Sequence, residues 1–538
     1  MRSPSIVAPL IALATAAASA RGDEACEVTA RIAVYGLNTP VDDLLRVAEL
    51  AGAAPPSPGV IRRAGAREAT SCAGAILPWS PRPSAESRSG EPTLDVVPLR
   101  LVSYLNTAYP ASGNDGLVWQ GRGLSGMASG GIHARWGVFS AALAPELAGA
   151  QNSSFEIVET GKSGDLRWSN PFYGDQIDLP QRPGDRALGT WGPGQSYVRV
   201  DAGNVAAGIS TENLWIGPGL RNTLLMTDSG PGFPHAFVGT SRPGDVWIGK
   251  VEALAFWGRL ERSRYFLDRG SALLTGLVVD YAPRWVPTLT LGAARVFVQS
   301  WGDFTLHKLL PVSQGVTQQG NPLDNQLASL FFRWVFPESG LDIHAEWGRD
   351  DAEAHLRNYL NEPDHSQAYV LGLEKVWFAG QRWVRLQAEL THLQEKRPLE
   401  NRRGVPVWYT HPDNLGYTHE GQVLGASIGP GGDEQFLAMD VFGRSGRVGG
   451  FVERIRRNDA YYWAVDEPTE PHYPAHDVEL ILGARGAWLV GGVEIGWQLA
   501  RSMRTNRDFL RHNEPSLQAE LDVTFPATAS PGQVDQSR

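Results

Sequence analysis

The chain has 538 residues, of which 42% are hydrophobic and 20% are charged, and its formal net charge is −10. This length is ample for a large core or a wide barrel. The negative charge argues against nucleic acid as a partner.

The N-terminus has the pattern of a secretory signal. Arg2 precedes an apolar run over residues 6–18, and Ala18-Ser19-Ala20 is a small-residue cleavage site. We therefore predict a cleaved signal peptide over residues 1–20. No later stretch approaches the ~20 apolar residues of a membrane-spanning helix, so the exported protein is either soluble or crosses a membrane by strands.

The two cysteines, Cys26 and Cys72, both lie near the mature N-terminus. In an oxidising periplasm they could form one disulfide, and two free thiols are the alternative. Two thiols do not define a zinc site without histidine partners, and the first histidine is His133. We predict no metal and no cofactor.

Residues 21–95 differ from the rest of the chain. Thr39-Pro40, followed by an apolar and acidic run over 41–50, is typical of a capped helix with proline in its first turn. A second short helix is predicted over 59–66, and the Pro/Ser-rich stretch 78–92 indicates a linker.

From about Leu94 onward the sequence predicts strands that are separated by turn residues. The clearest strand is 382–391, where apolar and polar side chains alternate with the period of two that an extended strand requires. Its apolar face holds Val384, Leu386, Ala388 and Leu390, and its polar face holds Arg385, Gln387, Glu389 and Thr391. The same alternation places His344 and Glu346 on a polar face.

Similar segments recur down the chain. We predict strands over 131–144, 196–211, 246–260, 288–300, 327–336, 341–348, 367–378, 382–393, 435–443, 448–456, 477–488, 490–501 and 517–525. Several of the 18 tryptophans stand at strand ends, as in the aromatic girdles of membrane barrels. The pattern favours an all-β fold, a large antiparallel transmembrane β-barrel with a hydrated interior, over residues 96–526. A polar tail, 527–538, follows.

Two short strings are similar to enzyme motifs. Gly121–Gly126 fits G-x-G-x-x-G but precedes a strand rather than a helix. Gly425-Ala426-Ser427-Ile428-Gly429 fits the nucleophile elbow, yet Pro430 and the glycines after it forbid the helix that this motif needs. We predict no catalytic residue and no enzymatic activity.

Residues 204–243 are rich in glycine and proline, which fix one backbone path. They include Trp215-Ile216-Gly217-Pro218-Gly219 and Gly232-Phe233-Pro234-His235. This segment resembles the Wzi family of capsule-assembly outer-membrane proteins, whose barrels carry both stretches. Further matches follow in the family's order and include Ala345–Asp351, Gly416–Gly425 and Gly429–Gly432.

The resemblance, which spans about Val97 to Phe525, implies a barrel of about eighteen strands in the outer membrane, with residues 21–95 as a small periplasmic helical module. It also implies a lectin-like role, namely binding capsular or related surface polysaccharide and helping to retain or assemble it. Partners would then be capsular polysaccharide or exopolysaccharide, outer-membrane lipid and the polysaccharide export machinery. The family motif gives Trp215, Gly217, Pro218, Gly219, Gly232, Phe233, Pro234 and His235 a structural role.

Saccharide binding needs hydrogen-bonding groups and flat aromatic faces, and cations attract acidic polymers. The polar faces and the long polar stretch 394–419 supply such groups. The candidates are Arg385, Gln387, Lys396, Arg402, Arg403, Trp408, Tyr409, His411, Tyr417 and His419. Arg221 and His235 are instead expected to pack against carboxylates.

Two other functions stay open on the sequence. An outer-membrane porin or channel would explain the barrel, although not the Gly/Pro-rich segments, which look like obstructions. An outer-membrane enzyme would need Ser427 together with His419 or His411.

Overall fold

The structure is a computed structural model. It describes residues 28–55, 57–65, 67–72, 92–111, 113–303, 324–350, 366–379, 381–393, 407–465 and 475–526. The signal peptide over 1–20, Cys26, most of the linker, Lys396, Arg402, Arg403 and the tail over 527–538 lie outside these residues. The predictions made for them, including the disulfide, stay predictions.

Among the described residues, an N-terminal region precedes the barrel. Helix α1 (Pro40–Leu50) is capped by Thr39, whose hydroxyl accepts a hydrogen bond from the Asp42 amide at 3.3 Å, as the sequence predicts. Strands β1 (Val28–Val34) and β3 (Arg67–Cys72) pair with each other. The second predicted helix is wrong, because Ile61–Arg63 forms strand β2.

The later strands form a closed antiparallel barrel, as predicted. The described wall has 18 strands, three of which are each built from two short pieces. The wall comprises β4 (Thr93–Asn106), β5 (Gly123–Trp136), β6 (Phe139–Leu143), β7 (Glu146–Ala150), β8 (Leu188–Gly192), β9 (Tyr197–Ala202), β10 (Val205–Ser210), β12 (His235–Thr240), β13 (Gly244–Val246), β14 (Gly249–Leu260), β15 (Ala272–Pro283), β16 (Leu289–Ser300), β17 (Asn325–Phe336), β18 (Leu341–Asp350), β19 (Gln367–Ala379), β20 (Arg382–His392), β23 (Asp433–Gly443), β24 (Gly446–Arg457), β25 (Asp477–Val490), β26 (Val493–Thr505) and β27 (Glu514–Thr524). Pairing of β27 with β4 closes it.

Besides β1–β3, three short strands of the described residues lie off the wall. They are β11 (Leu214–Ile216), which pairs with β2, and β21 (Thr418–His419), which pairs with β22 (Gln422–Val423). The other described helices are α2 (Asp459–Val465) and short 3-10 turns over Gly164–Trp168, Gly174–Gln176, Trp301–Asp303 and Arg507–Phe509. None of the helices in the described part of the chain has the length and apolar character that crossing a bilayer requires.

Burial along the wall is inverted relative to a soluble protein. On β20 the polar residues Arg385, Gln387 and Glu389 are at most 4% exposed, because they point into a filled lumen. On β4, Leu101 and Leu105 are 39% and 38% exposed and face outward. An apolar outer face with a polar inner face is what a barrel in lipid requires.

The two ends of the barrel differ. The barrel's first residue, Thr93, and its last, Thr524, lie at one end together with tight turns such as 203–204, 337–340 and 444–445. We call it the short-turn end. The connections at the opposite, loop end are longer, for example 151–187 and 211–234.

Some strand boundaries were predicted wrongly. The segments 131–144 and 196–211 are hairpins rather than single strands, because Gly137 and Gly203 adopt φ values of +58° and +63° that reverse the chain. Strand β15 was missed since its buried residues alternate poorly: its inner face packs on apolar groups inside the lumen instead of water.

Candidate functional site

A first closure of the lumen is made by the segment between β10 and β12, residues 211–234. The Glu389 carboxylate on β20 accepts hydrogen bonds from three consecutive amides, of Leu220 (2.7 Å), Arg221 (2.9 Å) and Asn222 (2.8 Å). Glu346 on β18 accepts another, from the Leu224 amide at 3.0 Å. The segment therefore reaches across the lumen to carboxylates of distant strands.

Arg221 and Asn222 strengthen this crossing. The Arg221 guanidinium pairs with Glu453 at 2.9 Å and Glu434 at 3.5 Å, and it lies 4.6 Å over the ring of Phe436. Burial alone would lower the pKa of Arg221, but Glu453 and Glu434 outweigh it and hold that pKa above its usual value. Arg221 thus packs against carboxylates, as the sequence predicts.

The Trp-Ile-Gly-Pro-Gly stretch joins this closure to the N-terminal region. The carbonyl oxygens of Pro218 and Gly219 accept hydrogen bonds from Arg46 (3.2 Å) and Arg62 (3.0 Å). Trp215 is fully buried and donates its indole N–H to the Gly219 carbonyl at 3.1 Å. Gly217 adopts φ +129°, and a Cβ there would lie 2.8 Å from Thr223 Cγ2, so only glycine fits.

The second family stretch packs near the wall. Phe233 is buried, Pro234 is exposed, and Gly232 leaves no room for a Cβ beside the Thr211 carbonyl. The His235 Nδ1 lies 2.8 Å from the Phe233 carbonyl oxygen. His235 has the rings of Phe233, Phe237 and Phe256 around it, so the carboxylate environment expected for it is wrong.

Residues 407–432 form a second inserted segment. Tyr409 donates its hydroxyl to the Leu224 carbonyl at 2.7 Å and accepts from the Ala426 amide at 2.8 Å, which ties the two segments together. Trp408 donates to the Ser366 carbonyl at 2.9 Å. Trp408, Tyr409 and Tyr417 are all fully buried. Their rings are occupied with packing in this structure, and their glycan contact stays a prediction.

The histidines of this segment are buried too. His419 Nδ1 accepts a hydrogen bond from the Glu261 amide at 3.0 Å, and burial, with Arg262 adding to it, lowers the pKa of His419 to about 4. Burial also lowers the pKa of His411, whose Nδ1 accepts from the Asp413 amide. The Ser427 hydroxyl donates to the Asn222 side-chain oxygen at 3.1 Å, and an amide oxygen does not activate a nucleophile.

Helix α1 closes part of the short-turn end. Its apolar residues Leu44 and Val47 pack against Val335, Val376, Trp383 and Phe442 of the wall. Its charges meet wall charges: Arg46 pairs with Glu374 at 2.7 Å, and Glu49 pairs with Arg333 at 3.0 Å. The helix is therefore held by both burial and ion pairing.

Arg385 lies at the centre of this contact. It is 1% exposed and pairs with Asp43 of α1, with Asp440 at 2.7 Å and with Glu374 at 3.4 Å. Burial would raise the pKa of Asp43, but Arg385 and Arg447 outweigh it and hold the pKa below its usual value. Gln387 accepts a hydrogen bond from Arg485 at 2.9 Å. Contact of Arg385 or Gln387 with glycan stays a prediction.

Two of the cavities in the described part of the lumen bear on function. The inner cavity, of about 350 Å³, runs along β24–β27, β4 and β5, and seven cationic and nine acidic side chains line it. The mouth cavity, of about 1440 Å³, lies at the short-turn end between α1 and β2 on one side and β5, β6, β9, β12–β15 and β17 on the other, and nine cationic and six acidic side chains line it. No group of three or more His, Cys, Asp or Glu side chains in the described residues is arranged to hold a metal ion.

Sequence reasoning missed several of the residues that form these closures. Glu434 was excluded because the predicted strand began at residue 435, whereas β23 begins at Asp433. Asn222, whose side-chain amide donates to Glu434 at 2.8 Å, lies in a segment where apolar and polar residues do not alternate, so no sequence pattern identified it. Had the strand predicted over 435–443 been extended to Asp433, Glu434 would have been placed in the barrel wall.

Compared with known proteins by sequence, the chain matches no family model and no curated protein. Among solved structures it is similar to Wzi of Escherichia coli, described as an outer-membrane protein involved in group 1 capsule assembly and a carbohydrate-binding β-barrel. The TM-score is 0.55 at 16% identity, over 80% of this chain and 85% of that one.

It is also similar to OccK2 (OpdF) of Pseudomonas aeruginosa, with a TM-score of 0.41 at 11% identity over 81% and 98% of the two chains. A BenF-like porin of Pseudomonas fluorescens gives 0.40 at 10% identity over 81% and 98%. At these identities the likenesses establish the fold alone. The protein has the fold of outer-membrane barrels.

Proposed function

We propose that this protein is a Wzi-type, non-enzymatic outer-membrane barrel that binds surface polysaccharide and helps to retain or assemble it. The observation that carries the proposal is the closure by 211–234. The Trp215–Gly219 stretch, on which the resemblance to the Wzi family rests, is the stretch that joins this closure to Arg46 and Arg62. A lumen closed by such specific contacts suits holding a polymer better than passing solutes.

The charge pattern supports the same role. Cationic side chains outnumber acidic ones in the mouth cavity, and guanidinium groups are suited to carboxylate-bearing saccharides. The solved barrel with the higher TM-score is described as carbohydrate-binding. Following the general arrangement of outer-membrane barrels, the proposal assigns the short-turn end to the periplasm and the loop end to the cell exterior.

A deletion in the host tests the role. Cell-bound and shed polysaccharide are measured in the deletion strain, in the strain complemented with the wild-type gene, and in one complemented with Glu389→Ala. The deletion is expected to shift polysaccharide from the cells to the medium, and the wild-type gene to restore it. An unchanged ratio in the deletion strain would refute the role.

One observation favours a channel as the second candidate function. The inner cavity is lined by Pro98 and Thr524, at the short-turn end, and by Gln120 and Asp228 on the loop side, so polar space lies beside the closures. A porin would give a steady, large conductance in a planar bilayer, whereas the holding role predicts little or none for the wild-type protein. The same recording on Glu389→Ala should show openings if 211–234 is the obstruction.

A further inference from the structure

The mouth cavity differs from the inner cavity in the sign and availability of its charge. Nine cationic and six acidic side chains line it in a chain whose net charge is −10. Several of these charges satisfy each other: Arg62 pairs with Asp42 at 3.7 Å, Arg333 with Glu49 at 3.0 Å, and Arg199 with Asp201 at 2.6 Å. The excess is therefore positive after internal pairing.

Three of the remaining cations stand at the rim. Arg242, Lys250 and Arg284 are exposed, and they follow one another along the short-turn ends of β12–β15. The Arg242 Nε donates to the Asn204 side-chain oxygen at 3.2 Å. Within the described residues neither Lys250 nor Arg284 has an ion-pair partner. Exposed cations without partners are free to meet an anion without first breaking a pair.

The size of the cavity limits the ligand. About 1440 Å³ exceeds the roughly 300–1,000 Å³ of ordinary small-molecule pockets. The lining holds hydroxyl and amphipathic groups, including Tyr197, Ser140, Thr240 and Ser241, beside the cations. The lining also holds apolar side chains such as Leu45 and Leu254, which can pack on the apolar faces of sugar rings. Cations, hydroxyls and apolar groups together suit a polymer with hydroxyls and carboxylates.

We propose that the mouth cavity is a binding site for an acidic glycan segment that reaches the barrel from the short-turn, periplasmic side. The inference rests on the proposed function and extends it, since it names the class of saccharide and puts a site on the side opposite the long loops. Two sources share this chemistry, a uronate-bearing surface polymer and the carboxylates of cell-wall glycan fragments.

The test measures binding to the purified full-length barrel in detergent at low salt. The probes are an oligogalacturonide, a malto-oligosaccharide of equal length, soluble cell-wall muropeptides, inorganic phosphate and phosphatidylglycerol vesicles. The triple variant Arg242→Gln, Lys250→Gln, Arg284→Gln removes the rim cations. The matched control Lys375→Gln, Arg382→Gln, Arg444→Gln removes three cations near the same end that do not line the cavity.

An acidic oligosaccharide is expected to bind, and the rim triple is expected to weaken that binding by about tenfold, because each exposed pair contributes only part of a kcal/mol. The control triple should bind within about twofold of wild type, and added salt should weaken binding. Selective binding of oligogalacturonide or of muropeptides supports the site and identifies the source. Both triples should retain the heat-dependent gel mobility of a folded barrel.

Three results would overturn the site: equal weakening by both triples, equal binding of the neutral sugar, or phosphate or vesicles as the preferred ligands. Loss of polysaccharide retention can be measured separately in cells. If retention requires the protein but the rim triple binds normally, only the site fails. If the rim binds acidic glycan but deletion leaves retention unchanged, the proposed function fails instead.

Discussion

The covered and the open halves of the short-turn end are built from the same alternating strands, yet they differ in what their polar side chains do. On the covered half, α1 brings Asp43, Arg46 and Glu49 against Arg385, Glu374 and Arg333, and these wall charges are buried in pairs. On the open half none of the described helices packs on the wall, and Lys250 and Arg284 face the mouth cavity. The same alternating strand pattern therefore carries both buried, paired charges and exposed charges that can bind a ligand. Whether a wall charge is paired depends on the element that packs against it.

The largest expected effect is on the closure by 211–234. Glu389→Ala leaves one buried and two half-buried amides without an acceptor. A buried amide without a partner costs about 1–3 kcal/mol, so the closed state should lose up to about 5 kcal/mol. Glu389→Gln keeps one carbonyl oxygen and should lose less. Protease cleavage within 211–234 and bilayer conductance measure the opening. Unchanged resistance of the alanine variant would mean that the segment is held elsewhere.

The next effect is on the covered half. Arg385→Ala removes the guanidinium that Asp43, Asp440 and Glu374 share. Each carboxylate keeps another arginine, namely Arg447, Arg485 and Arg46, so the loss should be somewhat smaller than the roughly 3–5 kcal/mol of a buried charge left without any partner. Hydrogen exchange across residues 40–50 should accelerate as α1 detaches. Arg382→Ala, on the same strand but exposed, is the control. Equal exchange in both variants would contradict the role given to Arg385.

A smaller effect is expected from pH on the second inserted segment. Because His419 has a pKa of about 4 when packed and about 6.5 when released, lowering the pH from 7 to 5 protonates mainly the released state. The packed state should lose roughly 2 kcal/mol over that range. Hydrogen exchange of residues 417–424, corrected for the intrinsic rate, measures the loss. His419→Gln should remove most of this pH dependence, and a variant as pH-sensitive as wild type would assign it to another group.

The smallest effect on stability is expected on the open half. Lys250→Gln and Arg284→Gln should each change the free energy of unfolding by no more than about 0.5 kcal/mol, as exposed substitutions without partners do. Urea titration of the folded barrel in detergent measures this. A loss comparable to that of Arg385→Ala would show that the two halves do not differ in the way described above.

The wall strands were largely predictable. The period of two set the direction of each side chain on β20 and β18, and the structure puts Arg385, Gln387, Glu389, His344 and Glu346 inside as predicted. Helix α1 was also predictable, from the capping residue Thr39 and from Pro40 in its first turn. The division of 131–144 and of 196–211 into hairpins was not predictable, because one glycine within an extended run does not indicate whether the chain turns there.

The roles of the inward residues were much less predictable. Arg385 was predicted as a lumenal cation, and the sequence analysis did not single out Lys250. In the structure Arg385 is fully paired, whereas Lys250 has no ion-pair partner among the described residues. Trp408, Tyr409 and Tyr417 read as a surface for sugar rings, but the structure packs their rings inside the second inserted segment. Neither distinction depends on local sequence.

The sequence by itself determined a barrel wall with an apolar outside and a polar inside, because side-chain direction in a strand is a local property of the backbone. Only the tertiary structure decided which polar groups close the lumen and which remain open to a ligand. Glu389 meets the amides of 220–222, and Asp43 meets Arg385, across more than a hundred residues of chain. These pairings depend on which surfaces come into contact when the barrel closes and the inserted segments pack. A local sequence pattern does not contain that information.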